Sequence, residues 1–339
     1  VLDRVERIYR ELQTMEPWFD NAKNITEIAI VYPKKIANIR GDRQLKSAVR
    51  MLSELKQQFD VVTLASDWSK YKVLIFPDDI LFDEETARRV KKHVNEGKAV
   101  ISTGFSGLDP EKRHFVLEQE WGIKFLGENP FDPAYFTVGE NCNEGLPDMP
   151  LSLYSNGIEV EASGKTRTEA RLVKPYHNRD WDGEYAFYYN PPDKVTEKPA
   201  LTINGQVAHF SHRIFSGYYD KASVELRTVF SNVLDRFLAK PLVKTKNLPS
   251  FSRVFVTEQP KRRMVHLLSY LPEMRGNTQM IEEPIELDNI TLSLRHDDRN
   301  FKNIYLAPEK VKLSYTLEGD YVHINVPKSK GYSLLVIEE

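Results

Sequence analysis

Residues 73–102 read VLIFPDDILFDEETARRVKKHVNEGKAVIS, and this stretch decides the predicted fold. Apolar strands are predicted at Val73–Pro77 and Ala99–Ser102. Between them lies an amphipathic helix, which Asp83 is placed to cap and after which Gly97 offers the left-handed terminal residue. Continuous apolar strands that alternate with helices predict a parallel sheet covered on both faces.

The same alternation continues on both sides of this stretch. Asp42 is placed to cap an amphipathic helix that carries Leu45, Leu52 and Leu55. Further strands and a further helix are predicted at Ile28–Tyr32, Val61–Leu64, Gln206–Ser211 and Ser223–Leu238. We therefore predict a sheet-and-helix domain over residues 24–240, with an elaborated loop region at 127–200.

The sequence pattern changes after residue 240. Residues 241–250 are predicted to be a linker, because they are polar, lysine-rich and interrupted by proline. Beyond them, seven short strand-like runs follow at close spacing. This spacing predicts an all-β sandwich domain over residues 251–339.

Residues 1–23 begin with an amphipathic helix. Apolar residues recur at helical spacing between charged ones, at Leu2, Val5, Ile8, Leu12 and Met15. Such a stripe needs a surface to cover. We interpret this segment as a bridging helix and expect the chain to have been cut from a longer polypeptide.

Composition excludes several functional classes. The chain carries 47 Lys and Arg against 49 Asp and Glu, a formal charge of −2, so we expect no nucleic-acid partner and no membrane association. A single cysteine, Cys142, excludes an internal disulfide framework and a multi-cysteine metal site. The sequence leaves the compartment open between the cytoplasm and export from a bacterial cell.

A nucleophile or a phosphate site would be expected on the turn after a strand. The turn Ser102–Gly107 reads STGFSG, which matches neither nucleotide-binding glycine pattern, so no cofactor is predicted. Flavodoxin-like domains of the amidotransferase type place a cysteine at this turn, where this chain has Thr103, Gly104 and Ser106. Cys142 lies among glycines and acids that would raise its thiol pKa. We expect no catalytic residue in this chain.

Acid pairs are a second source of chemistry. Asp78–Asp79 follow a strand, Glu282–Glu283 fall in the predicted sandwich, and Asp180 and Asp182 lie in the long loop. Paired carboxylates can perform glycoside hydrolysis, but each pair also fits ordinary surface charge.

Histidine spacing argues against a shared metal. His209 and His212 are three residues apart on QVAHFSHRIF, so on one strand they would face opposite sides. No metal site is predicted there.

The segment Pro175–Pro192 reads PYHNRDWDGEYAFYYNPP and is rich in aromatic and planar polar side chains. These groups together are typical of carbohydrate binding, and a loop pinned to its own domain by aromatics would look the same. The candidate substrate-binding residues, which include the two histidines above, are His177, Asn178, Arg179, Trp181, His209 and His212.

Several stretches resemble a known arrangement in the same order. They read YRELQTMEPWFDNA, EIAIVY, VLIFPDD, EGKAVISTGFSGL, RLVKPYHNRDW, GQVAHFSHRIFSGYYDKA and VFSNVLDRFL. They resemble the middle domain, often called a trimerisation domain, of bacterial glycoside hydrolases related to the family 42 β-galactosidases. The similarity is greater to α-L-fucosidase-like glycosidases, whose C-terminal β domain also resembles the stretch from NLPSFSRVFVTEQP to GYSLLVIEE.

The resemblance implies a fold class: an α/β flavodoxin-like domain, similar to class I glutamine amidotransferases but without their cysteine, followed by an all-β sandwich. It also implies an upstream (β/α)8 barrel that carries both catalytic carboxylates, a homo-oligomer, and a carbohydrate partner. The loop with His177, Arg179 and Trp181 would then edge a sugar site.

We therefore predict a non-catalytic accessory and oligomerisation region of a glycoside hydrolase. Two alternatives stay open at this stage. One is a stand-alone carbohydrate-binding module. The other is an independent amidotransferase-like hydrolase, which the missing cysteine disfavours.

Overall fold

A computed structural model describes residues 2–32, 42–178 and 190–339. The chain divides into two compact units, which we name the β unit and the mixed-sheet unit. The β unit consists of Val1–Glu27, Leu52–Phe59 and Lys240–Glu339. The mixed-sheet unit consists of Ile28–Met51 and Asp60–Ala239. The predicted domain boundaries stay a prediction.

The described residues form helices and strands with the following bounds. The helices are α1 (Leu2–Phe19), α2 (Arg43–Glu54), α3 (Glu84–Asn95), α4 (Glu118–Trp121), α5 (Ile214–Lys221) and α6 (Val224–Phe237). The first strands are β1 (Lys23–Asn24), β2 (Ile28–Tyr32), β3 (Phe59–Thr63), β4 (Val73–Phe76), β5 (Ala99–Thr103), β6 (Ile123–Glu128), β7 (Ala134–Val138), β8 (Leu151–Leu153), β9 (Ile158–Ala162), β10 (Arg167–Pro175), β11 (Pro192–Asn204) and β12 (Val207–Phe210). The later strands are β13 (Val243–Lys246), β14 (Arg253–Gln259), β15 (Arg262–Ser269), β16 (Glu273–Arg275), β17 (Thr278–Met280), β18 (Glu286–Arg295), β19 (Asn303–Ala307), β20 (Val311–Lys312), β21 (Tyr315–Glu318) and β22 (Tyr321–Glu338).

The mixed-sheet unit is built on one nine-stranded sheet, in the order β3-β2-β4-β5-β12-β11-β10-β7-β8. The pairs β2–β4, β4–β5 and β5–β12 are parallel. From β12 onward every pair is antiparallel, through β11, β10 and β7 to β8. Strands β4 and β5 are buried along their whole length, as their continuous apolar sequence predicts.

The predicted fold class of this region is wrong. A flavodoxin-like α/β domain has a parallel sheet with helices between its strands, whereas the described residues are 43% strand and 21% helix and the sheet is mixed. The difference from that fold class lies in residues 127–200, which hold β7, β8, β9, β10 and most of β11. Proline, glycine and a β-bulge in this stretch hide the alternation that identifies antiparallel strands.

Helix α3 shows why the central stretch folds as predicted. The Asp83 side chain accepts a hydrogen bond from the backbone nitrogen of Thr86 at 2.8 Å, which satisfies one of the free donors of the first turn. Glu84 and Glu85 lie in that turn, where negative charge is favoured. The helix buries Ala87 and Val90 in the same core as Leu74 and Phe76 of β4.

The β unit confirms the predicted β-sandwich. Strand β22 is shared: residues 321–330 pair with β18, and residues 331–338 pair with β15. This long strand therefore joins two antiparallel groups of strands, and a core of valine, leucine and isoleucine side chains packs between them. Val256, Ile290, Ile324 and Leu335 belong to this core.

Among the described residues, helix α1 is anchored at its C-terminal end. Trp18 is buried with Met264, Leu334 and Val336 of the β unit. Further toward the N-terminus, the apolar side chains of the helix are exposed, namely Leu2, Val5, Ile8, Tyr9 and Leu12. None of the described helices has the length and apolar character that a membrane span requires.

Candidate functional site

The carboxyl ends of the parallel strands in the mixed-sheet unit hold a buried aspartate. The carboxylate of Asp78 accepts hydrogen bonds from the hydroxyls of Thr103 and Ser216, both at 2.7 Å. It also accepts from the backbone nitrogens of Phe215 at 3.3 Å and Ser216 at 2.8 Å, in the first turn of α5. Asp78 thus ties the end of β4 to the end of β5 and to the start of α5.

Burial raises the pKa of Asp78 to about 6, although the hydrogen bonds from Thr103 and Ser216 oppose that shift. Close packing at this edge requires a glycine next to it. Gly104 has φ +59°, and a Cβ atom there would lie 2.7 Å from the carbonyl oxygen of Asp78. Gly104 therefore allows close packing at the turn after β5. The hydroxyls of Thr103 and Ser106 accept hydrogen bonds from backbone nitrogens of the loop that follows β4.

Asp79 is more exposed than Asp78 and has a different partner. Nε of Arg213 lies 2.9 and 3.1 Å from the two carboxylate oxygens of Asp79. The same guanidinium lies over the ring of Phe105 at 4.3 Å and hydrogen-bonds to the side chain of Asn156. The two neighbouring acids therefore have different roles: Asp78 anchors α5, and Asp79 forms an ion pair with Arg213. Sequence analysis missed Arg213 because its partner is 134 positions away.

Two of the three histidines predicted to bind substrate, His209 and His212, are buried in the mixed-sheet unit. Nδ1 of His209 is 2.9 Å from the Ser102 hydroxyl, which also accepts a hydrogen bond from Nε1 of Trp121. Nδ1 of His212 is 3.0 Å from the Ser211 hydroxyl. Nε2 of either ring has no partner among the described residues. A substrate-binding role for the two histidines stays a prediction.

Burial lowers the pKa of both His209 and His212 to about 3. Unfolding frees each ring to bind a proton near its ordinary pKa of 6.5, so the stability that they contribute is complete above pH 6.5 and is lost as the pH falls toward 3. Each histidine is expected to lower the free energy of unfolding by about 1.4 kcal/mol per pH unit in this window. Urea unfolding between pH 7 and 5 measures this slope.

His209→Asn keeps a polar atom near the position of Nδ1 and is expected to remove one histidine's share of the slope. Asp78→Asn is a control that is expected to change the pH slope in the opposite direction. Because the pKa of Asp78 is raised from 3.8 to about 6, its contribution is complete below pH 3.8 and is lost as the pH rises to 6. Replacing it should therefore steepen the loss of stability on acidification. Equal slopes in all three proteins would contradict both assignments.

The aromatic segment is described only at its two ends. His177 and Asn178 are exposed, and the Asn190 side chain holds the backbone of His177. The amide of Asn178 donates to the carbonyl oxygen of Pro130 at 2.9 Å and accepts from the nitrogen of Asp132 at 3.3 Å. The predicted site residues Arg179 and Trp181, and the acids Asp180 and Asp182, lie outside the described residues.

Asn178 supports the wall of an open cleft in the mixed-sheet unit. The cleft has a volume of about 480 Å³. Residues 129–134 form one side and residues 153–156 the other, with Lys221 at the rim. Sequence analysis missed this cleft, since its two sides are brought together by pairing of β7 with β8.

The remaining candidates have structural surroundings. Cys142 is buried, and burial raises the pKa of its thiol. Glu282 and Glu283 are exposed, and Glu282 pairs with Arg275 at 2.5 Å. Within residues 2–32, 42–178 and 190–339, no cluster of three or more histidines, cysteines or acids is arranged to hold a metal ion.

Comparison with known proteins confirms the predicted relationship. Residues 28–125 match the family model of the β-galactosidase trimerisation domain of family 42 glycoside hydrolases. The chain is thus similar to the accessory trimerisation region of these enzymes, and it shares its fold with part of a solved glycosidase.

Particular relatives are known in sequence and in structure. β-Galactosidase BbgII of Bifidobacterium bifidum is 40% identical over 157 residues, which are 43% of this chain and 20% of that protein. The structure of α-L-fucosidase isoenzyme 2 from Paenibacillus thiaminolyticus matches 97% of this chain and 51% of its own, with 28% identity and a TM-score of 0.87. A β-galactosidase from Bacillus circulans sp. alkalophilus covers 97% of the chain at 16% identity and a TM-score of 0.60, which shows the fold alone. The chain spans a fifth of the length of BbgII and about half of the fucosidase.

Proposed function

We propose that this chain assembles a glycoside hydrolase into a homo-oligomer and shapes the rim of its sugar site. The match of residues 28–125 to a trimerisation domain carries this proposal. Hydrolysis in the whole protein is assigned to a separate (β/α)8 barrel with its own pair of carboxylates. The described acids in this chain support that division, because Asp78 is held by α5 and Asp79 by Arg213. The names of the relatives favour a galactose- or fucose-containing substrate.

The exposed apolar face of α1 is evidence that a neighbouring domain packs against this helix. Leu2 is 83% exposed, and Val5, Ile8 and Leu12 on the following turns are exposed as well. An apolar stripe of this length is costly in water and is typical of a surface that another domain covers. We assign the catalytic barrel as the domain that covers it.

The self-contact is proposed to lie on the mixed-sheet unit beside its edge strand β8. Met149 is exposed next to Pro147 and Pro150, and Val195 faces the same hollow of about 280 Å³. An apolar surface beside a sheet edge is suited to burial against a second copy. The aromatic segment Pro175–Pro192 would then border a sugar site in its own chain or in the neighbouring copy.

Light scattering across a concentration series tests the proposal, and we expect an oligomer that dissociates on dilution. Met149→Asp should weaken assembly at least tenfold, since it buries an unpaired charge at the contact. Met274→Asp on β16 is the matched control, because Met149 and Met274 are 58% and 59% exposed. A monomer at every concentration, or equal loss in both variants, would contradict a contact at this surface.

A further inference from the structure

We propose that the cleft between residues 129–134 and 153–156 binds a neutral pyranose sugar. The lining contains an apolar floor, formed by Ala134 and Leu153, both of which are buried. The aromatic side chains Phe131 and Tyr154 stand at its sides, and Tyr154 is 44% exposed. A volume of about 480 Å³ falls within the range of small-molecule sites.

Two polar atoms in the cleft wall are unpaired. Nδ2 of Asn129 and the hydroxyl of Ser155 are buried, and neither has a hydrogen-bond partner among the residues that the structure describes. An unsatisfied buried donor is unfavourable by about 1–3 kcal/mol. Each group gains a partner if its side chain turns into the cleft and meets a ligand that both donates and accepts. Sugar hydroxyls have this property.

The charges at the rim favour a neutral ligand. The cationic side chain of Lys221 and the acidic side chain of Asp132 both line the cleft. Because the two charges are opposite, the rim attracts neither an anion nor a cation strongly. Both the ammonium and the carboxylate group can hydrogen-bond to hydroxyls. Tyr154 and Phe131 supply the flat apolar surfaces that suit the C–H face of a pyranose ring.

The wall of the cleft is held in place by its surroundings. The side-chain oxygen of Asn129 accepts from the nitrogen of Phe131 at 2.8 Å, which fixes the turn that carries Phe131. Asn178 braces the same turn from outside through Pro130 and Asp132. The backbone of this wall is therefore held before a ligand arrives, and the side chains of Asn129 and Ser155 are the part that must reorient on binding. The inference does not require an oligomer, because the described residues that line the cleft belong to the mixed-sheet unit.

Ligand-observed NMR titration of the full chain with L-fucose and D-galactose tests this site. A ligand of about twelve non-hydrogen atoms at ordinary efficiency should bind with a dissociation constant on the order of 1 mM. Tyr154→Ala is expected to weaken binding about tenfold. Ser155→Ala, a small change that keeps the fold, should weaken it about fivefold by removing one hydrogen bond. Tyr315→Ala on β21 is the matched control, since Tyr315 is 36% exposed and lies in the β unit.

The outcomes separate this inference from the proposed function. Weaker binding in both cleft variants, with unchanged binding in Tyr315→Ala, supports the site. Absence of binding at about a hundred times the expected dissociation constant, or equal binding in all variants, overturns it. Light scattering on the same samples reports assembly independently. Sugar binding by a monomer would retain the site and reject the proposed assembly.

Discussion

Asp78→Ala is expected to lower the free energy of unfolding by about 3–5 kcal/mol. The substitution leaves four hydrogen-bond donors facing an apolar methyl group: two hydroxyls and two backbone nitrogens of α5. It also puts alanine at φ +56°, a conformation that aspartate and asparagine tolerate better. Urea unfolding followed by tryptophan fluorescence measures the change, since Trp68 and Trp121 are buried in the mixed-sheet unit.

Two variants separate the causes of that loss. Asp78→Asn keeps the backbone preference and one acceptor oxygen, so its effect should be about half as large. Asp83→Ala removes the N-cap of α3, whose side chain accepts one hydrogen bond from Thr86, and should lower stability by about 1 kcal/mol. If Asp78→Ala cost no more than Asp83→Ala, the carboxylate would not be the anchor of α5.

Arg295→Ala is expected to destabilise the β unit by about 3–5 kcal/mol. Nη2 of Arg295 is 2.8 Å from the buried carboxylate of Glu27, and its Nε is 2.6 Å from Asp297. Glu27 also accepts a hydrogen bond from the backbone nitrogen of Leu242 at 2.9 Å. Removing the guanidinium leaves a buried negative charge that this cation no longer compensates. Urea unfolding followed by circular dichroism measures the loss.

The control for this prediction is an exposed ion pair. Arg275 lies 3.1 Å from Glu273 and 2.5 Å from Glu282, all at the surface, so Arg275→Ala should change stability by less than about 1 kcal/mol. The double variant Glu27→Leu with Arg295→Met removes both buried charges and should recover most of the stability. If the double variant were as unstable as Arg295→Ala, lost packing rather than the unpaired charge would explain the effect.

Part of the candidate site could be predicted from the sequence. The sequence places Asp78 and Thr103 at the ends of strands, because apolar strands end where the polar residues begin. The turn after β5 has no cysteine in the sequence. In the structure, Gly104 of this turn packs against Asp78. What the sequence did not indicate was the partner of each residue. Ser216 and Arg213 reach the two aspartates from α5 and the turn before it, more than 130 positions further along.

The family relationship was available from the order of similar stretches, and the comparisons confirm it. For the aromatic segment and the histidines, the substrate-binding role stays a prediction. Residue type alone made His209 and His212 resemble ligand-binding groups, yet both rings are buried. The burial of His209 depends on which face of β12 meets Ser102 and Trp121, and that is decided by packing.

The sequence by itself determined the elements whose side chains repeat with a clear period: the buried strands Ile28–Tyr32 and Val73–Phe76, the capped helix α3, and the short strands of the sandwich. These elements carry their own local signals, because burial and capping act within a few residues. Only the tertiary structure decided that residues 127–200 extend the sheet with antiparallel strands, and that Asn129 and Ser155 meet across a cleft. Strand order and cleft walls depend on contacts between distant residues, and a single sequence has no local pattern that records such contacts.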